Sequence, residues 1–195
     1  MGDTEDANDE DVAWMARIAK GDDQAFRLLV EKHQGAVIGT VAKMTNGSAD
    51  TEDIAQQVFL RIWKSAKRYQ PTAKFTTFLF TVTRNLVFNE TAKKSRRKEF
   101  SIEEQEDDWH RSVAYSDRTS QPDQKLAQSE MKEVVDNAIA RLPEKQRLAV
   151  ILRRYEQMPY EEMATVLELS VPAVKSQLFR ARNSLREMLS EYLKD

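Results

Sequence analysis

The residues best suited to chemistry in this chain lie near its C-terminus, and the chemistry they suit is binding rather than bond-making. Ser170 stands where a side chain can cap a helix. Pro172, Ala173, Ser176, Phe179 and Arg180 recur along one face of the segment behind it, with Lys175 beside them. Polar and basic groups on the first turns of a helix sit beside free backbone N–H groups and the positive end of the helix dipole. That combination suits phosphate contact and insertion into a major groove. Pro159 to Leu167, a turn at Glu168-Leu169 and a helix from Val171 have helix-turn-helix dimensions. Ala164 is small where the two helices would cross, and Val166 or Leu167 can close the core against Val174. Short helix pairs also occur in ordinary α-helical bundles, so the pattern leaves plain packing open as well. One position departs from the usual rule: the turn often needs a left-handed backbone and holds Gly, whereas here Glu168 would cost about 1 kcal/mol.

No comparable arrangement supports catalysis. The two histidines, His33 and His110, fall in different segments, the first on a helix face and the second in a polar stretch. Neither has a partnered nucleophile or an acid cluster at ligand spacing, and no glycine-rich phosphate loop is present. The absence of cysteine removes disulfides, thiolate catalysis and cysteine-bound zinc, and it suits a reducing compartment. The sequence therefore predicts a non-enzymatic protein with no metal and no cofactor. The acidic start of the chain is unlike a signal peptide, and no apolar run reaches membrane-spanning length, which predicts a cytoplasmic protein without membrane insertion.

A net charge of −2 does not by itself suggest a nucleic-acid binder, but the charges are segregated. Acid gathers at Asp3, Glu5, Asp6, Asp9, Glu10 and Asp11, and again from Glu99 to Asp108. Base gathers at Arg84 and from Lys93 to Lys98, then at Lys175, Arg180, Arg182 and Arg186. Such a chain can present local basic surfaces, although a basic run is equally a solvated helix face.

The elements that must hold these groups are all helices. Only five Gly and five Pro interrupt a composition rich in helix formers. The pattern predicts helices over about Asp9–Lys20, Gln24–Thr45 and Thr51–Ala66, with a fourth from Phe75 into the basic Lys93–Lys98 stretch. Asp22 or Asp23 and Asp50 are the expected caps, and Asn46-Gly47-Ser48 is a stop. Four helices of these lengths can share one core, giving a domain over 10–98 behind an acidic tail over 1–9. A polar, acidic linker over 99–122 follows, then a second domain over 123–195. Its stripes are Leu126, Met131, Val134, Val135, Ala138, Ile139 and Leu142 behind an Asp123 cap, then Leu148, Ile151, Leu152 and Tyr155. The last helix carries Val174, Leu178, Ala181, Leu185, Leu189 and Tyr192. The fold class is all-α, two small helical domains joined by a flexible acidic linker.

Leu142-Pro143-Glu144-Lys145-Gln146-Arg147, Tyr160-Glu161-Glu162-Met163-Ala164 and Val174-Lys175-Ser176-Gln177-Leu178-Phe179-Arg180-Ala181-Arg182 resemble region four of the bacterial sigma factors. Asp53-Ile54-Ala55-Gln56-Gln57-Val58-Phe59-Leu60-Arg61-Ile62-Trp63 resembles the polymerase-binding helix of sigma region two. The stretch Phe75-Thr76-Thr77-Phe78-Leu79-Phe80-Thr81-Val82-Thr83-Arg84-Asn85 resembles its promoter-melting helix. The order is that of the family, and the short intervening segment points to the minimal, extracytoplasmic-function (group IV) branch of the sigma-70 family. Gln57 stands where the family usually has Glu, and Phe78 where it often has Trp.

The resemblance implies a sigma factor that binds core RNA polymerase and directs promoter recognition, melting and initiation. It implies polymerase contacts at Asp53, Gln56, Gln57 and Phe59, and contacts to the minus-ten element at Lys74, Phe75, Arg84, Asn85 and Asn89. It implies reading of the minus-thirty-five element by Ser170, Pro172, Ala173, Lys175, Ser176, Phe179 and Arg180. The expected partners are core RNA polymerase, promoter DNA and, as in many relatives, an anti-sigma factor. The acid run Glu103, Glu104, Glu106, Asp107 and Asp108 could mimic RNA in a polymerase channel or be plain linker. For Phe75, Phe78 and Phe80 the competing reading is hydrophobic core. The rival function is a helix-turn-helix regulator that acts without binding polymerase, which would leave the motifs from Asp53 and Phe75 unused.

Overall fold

Capping chemistry sets most of the helix ends. The computed structural model describes residues 3–100, 122–190 and 192, and all regular structure among them is helical. Helix α2 spans Asp23–Thr45, and Oδ1 of Asp22 accepts from the amides of Gln24 and Ala25, each at 3.0 Å. Asn46 ends it in the left-handed region (φ 54°), followed by Gly47 (φ 67°). Helix α3 spans Thr51–Ser65 and tightens into a 3₁₀ turn at Ala66–Arg68. Asp50 precedes α3 but makes no capping bond. Its carboxylate pairs with Lys94 at 2.7 Å, which holds its pKa below the usual carboxylate range.

Helix α1 covers Asp3–Ile18 and so begins earlier than its apolar pattern predicts. Its first turns are held by tertiary contacts. Lys32 donates to the Ala7 carbonyl at 2.8 Å, and Oδ1 of Asn8 accepts from the Phe75 amide at 2.9 Å. Helix α4 runs Phe75–Phe100, and α5 covers Pro122–Ala140, which places Asp123 inside the helix rather than at its cap. Helices α6 (Glu144–Arg154), α7 (Tyr160–Leu167) and α8 (Val171–Met188) complete the chain. The acid run Glu103 to Asp108 and His110 lie outside the described residues.

The stripes read from the sequence become two packed groups. Met15, Leu29, Val41, Ile54, Ile62 and Leu79 close the core of α1–α4. Leu148, Ile151, Leu152, Met163, Val166 and Val174 close that of α6–α8. Each such side chain contributes about 1.5–3 kcal/mol when removed from water. Four positions depart from the expected pattern. Met131, Tyr155 and Tyr192 are exposed, while His33 is buried against the Phe75 ring with Nε2 3.0 Å from Asp11.

The two groups also pack on each other, α7 along α4 and α2 against α5 and α6. Arg147 ties this junction. It donates to the Met44 carbonyl at the end of α2 (2.8 Å), to the Leu142 carbonyl (3.1 Å) and to that of Ala140 at the end of α5. The Met44 and Ala140 carbonyls are ones that a helix C-terminus leaves without an internal partner. Arg147→Ala is expected to cost about 1.5–3 kcal/mol, the range for hydrogen bonds from a charged donor, read as a lower denaturant midpoint. Lysine lacks the fork and should recover only part of it. An unchanged midpoint for the alanine variant would mean that these bonds contribute nothing.

Candidate nucleic-acid interface

The helix-turn-helix is built from α7, the turn at Glu168-Leu169 and α8. Val166, Leu167 and Val174 are fully buried between the helices. Glu168 takes the left-handed backbone a glycine would favour (φ 53°), and the Leu169 amide closes the turn on the Ala164 carbonyl at 3.0 Å. Oγ of Ser170 accepts from the Ala173 amide at 3.3 Å and starts α8. With Val174 and Ala181 turned inward, Pro172, Lys175, Ser176, Phe179 and Arg180 are exposed and Ala173 is half-buried. Phe179 is 63% exposed, a large ring between a hydroxyl and a guanidinium on a face that no other helix covers among the described residues. Nζ of Lys175 lies 5.5 Å from the Tyr160 ring centroid, which steadies the cation at the helix entrance.

On α3 the apolar stripe Ile54, Ala55, Val58, Phe59 and Ile62 faces the core, and Asp53, Gln56 and Gln57 lie exposed on the opposite side. Phe59 is only 7% exposed, so its ring belongs to the core and does not reach the outer face. Leu60, 53% exposed, supplies the apolar group there instead. Helical spacing carried this signal, because Phe59 already falls on the buried stripe and Leu60 does not.

The residues expected to meet the minus-ten element separate in a similar way. Phe75 is 0% exposed, its ring centroid 5.1 Å from His33 and 6.3 Å from both Tyr69 and Phe78. This ring is packed core and offers no face for stacking on a base. Asn85 and Asn89 are exposed one turn apart on α4. Lys74 is exposed and pairs with Glu162 at 2.9 Å. The Arg84 side chain is 8% exposed; its Nη2 donates to Oδ1 of Asn85 at 2.6 Å and to Glu168 at 2.5 Å. That hydrogen bond and the guanidinium charge hold the Glu168 carboxyl below its ordinary pKa.

Beside Asn85 an open groove of about 430 Å³ runs between α3 and α4, lined by Arg61, Lys64, Ser65, Arg68, Phe78 and Val82. Three cations along one edge, an apolar floor and an amide at one end are the groups a single strand needs: charge for phosphate, surface for a base, and a donor–acceptor pair. Sequence reading passed over Arg61, Lys64 and Arg68. Their spacing of three and four residues, next to the α3 stripe, was the available signal. Farther along α4, Lys93 pairs with Glu90 at 2.5 Å and Lys94 with Asp50, while Arg96 is exposed. The side chains of Arg97 and Lys98 lie outside the described residues. Among the described residues no cluster of three His, Cys, Asp or Glu could hold a metal ion, and no helix is long and apolar enough to cross a membrane.

Comparison with known proteins places both halves. The family model for Sigma-70 region 2 matches residues 29–97, and that for Sigma-70, region 4 matches residues 132–185. The RNA polymerase sigma-H factor of Pseudomonas aeruginosa is 29% identical over 189 residues, covering 96% of this chain and 97% of that protein. The ECF RNA polymerase sigma-E factor of Escherichia coli is 29% identical over 176 residues, covering 90% and 92%. Among solved structures, CnrH in complex with the cytosolic domain of CnrY shares the fold. Its TM-score is 0.66 at 23% identity, over 93% of this chain and 98% of that one. The sigma factor RpoE of Bartonella quintana, solved with the anti-sigma factor NepR, gives 0.67 at 22% identity, over 85% and 96%.

Proposed function

We propose, for a chain that belongs to the extracytoplasmic-function group of the sigma-70 family and so recognises promoters with RNA polymerase, that three exposed faces divide the work. Asp53, Gln56 and Gln57, with Leu60 in the place expected of Phe59, bind core polymerase. An aliphatic group ringed by polar heads is the composition of a protein-binding patch. The groove of Arg61, Lys64 and Arg68, together with Asn85 and Asn89, holds the unpaired minus-ten strand, with Lys74 and Arg84 as further cations. Ser170, Pro172, Ala173, Lys175, Ser176, Phe179 and Arg180 read the minus-thirty-five element in duplex form. The protein works in the cytoplasm, where its polymerase and promoters are, and catalyses no reaction of its own. Because CnrH and RpoE are seen with CnrY and with NepR, we extend an anti-sigma partner to this chain as well.

The observation that carries this reading is the pairing, in one chain, of an exposed recognition face on α8 with a cation-edged groove between α3 and α4. Run-off transcription with purified bacterial core polymerase and a pool of random promoter sequences is the test. Transcripts that depend on the protein and share a two-box motif are the expected result. The triple variant Asp53→Ala, Gln56→Ala, Gln57→Ala should bind core at least about tenfold more weakly, as loss of an interface hot spot does, while its helix content is unchanged. A folded protein that neither binds core nor stimulates any template would overturn the assignment.

A further inference from the structure

Helix α4 begins behind a residue whose side chain cannot cap it. Lys74 occupies the cap position, its carbonyl accepting from the amides of Thr77 at 3.0 Å and Phe78 at 3.3 Å. Its ammonium carries donors only and has nothing to offer the free amides of the first turn. The Phe75 amide is answered instead from 67 residues away, where Oδ1 of Asn8 accepts it at 2.9 Å. Asn8 is half-buried on α1, and the turn that carries it is fastened to α2. Nζ of Lys32 reaches the Ala7 carbonyl and Oδ1 of Asp11, each at 2.8 Å, and Oε2 of Glu10 at 3.2 Å.

The loop that leads into α4 meets α1 at its other end as well. Tyr69 follows the 3₁₀ turn, its ring centroid 5.1 Å from that of Phe78 and its hydroxyl buried without a hydrogen-bond partner among the described residues. Burial, and after it the nearby Asp11 carboxylate, hold the Tyr69 phenol above its ordinary pKa. Between these two anchors Gln70, Pro71, Thr72, Ala73 and Lys74 are all exposed, with the Thr72 amide bonded to the Gln70 carbonyl at 2.8 Å. A segment so exposed and so lightly bonded takes its shape from its ends. Those ends carry Arg68, on the edge of the groove, and Lys74, two of the cations assigned above to the unpaired strand.

We propose that Asn8 is a positioning residue for promoter melting: by capping α4 from α1 it fixes the loop over 69–74, and with it the placement of Arg68 and Lys74 along the captured strand. The inference rests on the reading that puts the minus-ten strand in the groove between α3 and α4. Preorganisation is the physical cause. A loop already held needs no ordering when a strand enters, so the attraction of its cations goes into binding. With the cap lost, ordering the loop subtracts from every capture. Asn8 acts through the loop and not on the strand itself.

Holoenzyme reconstituted with core polymerase tests this against two labelled templates. One is the upstream duplex recovered by run-off selection, and the other is the same duplex extended by an unpaired minus-ten strand. The readout is the gain in affinity on adding the strand, in which effects on core binding and upstream recognition cancel. Asn8→Ala should cut that gain about fivefold, the worth of one helix cap, and so should Asn8→Leu, which keeps the volume without the acceptor. Asn8→Asp keeps the acceptor at a helix N-terminus that favours negative charge, and should keep the gain. Asp22→Ala removes the cap of α2 instead. It should lower the denaturant midpoint as much as Asn8→Ala does and leave the gain untouched, which separates positioning from stability. An undiminished gain in the Ala and Leu variants would overturn the role of Asn8, as would an equal loss in Asp22→Ala. A parent holoenzyme that gains nothing from the unpaired strand would instead remove the reading of the groove, and the role of Asn8 with it.

Discussion

Replacing Lys175 and Arg180 together with alanine is expected to weaken binding to the upstream promoter element about a hundredfold or more. A well-placed charged contact to a base edge carries about 1–3 kcal/mol of discrimination, and both residues are exposed on the outer face of α8. Exposure also means that the change should leave stability within about 0.5 kcal/mol, so lost binding cannot be assigned to unfolding. Arg182 is exposed farther along the same helix and should behave differently. Its alanine variant should weaken all sequences alike and lower the salt dependence by about one counterion, as loss of a phosphate contact does. Anisotropy titrations at fixed salt, on the element recovered by run-off selection and on a scrambled duplex, separate the two behaviours. A double variant that binds the selected element as tightly as the parent protein, with the same preference over the scrambled duplex, would remove α8 as the reading surface.

Phe75→Ala should destabilise the chain by about 3–5 kcal/mol, the usual loss for an aromatic ring removed from a packed core. Total stabilities of about 5–15 kcal/mol make that enough to unfold a marginal protein. The reason is geometric. The ring is sealed between His33, Tyr69 and Phe78 at the start of α4, and truncation opens a cavity under the loop that enters this helix. Phe75→Leu nearly conserves volume and should lose less than about 1.5 kcal/mol. Initiation should persist in the leucine variant, measured beside its denaturant midpoint. A leucine variant that is stable but cannot open promoters would return the Phe75 ring to the DNA and contradict its place in the core.

Phe75 and Phe59 illustrate how a family position and a helical period can disagree. Both were expected at binding surfaces by resemblance, and both lie on apolar stripes whose spacing already turns them inward. The period carries the physical cause, since burying such a ring is worth more than the contact it could offer outside. His33 gave the same kind of signal. It falls four residues from both Leu29 and Val37 on the buried face of α2, and only its polarity argued for the surface. Caps were equally legible where the side chain has one job, as at Asp22 and Ser170. Asp50 was not, because Lys94, distant in sequence, draws its carboxylate away from the helix end.

The sequence by itself determined the helical class, most helix boundaries, the inward stripes and the exposed face of α8, because each depends on neighbours within one or two turns of the chain. Only the tertiary structure decided which charges are free. The Glu168 that looks like a blemish in a turn becomes the partner of Arg84, 84 residues earlier, and Lys74 is answered by Glu162. Arg147, in a motif that reads as local, spends its fork on the end of α2 as well as of α5. Pairings of this kind follow from how α7 lies on α4 and α6 on α2. No periodicity encodes them, because an ion pair across two packed helices leaves no spacing in the chain.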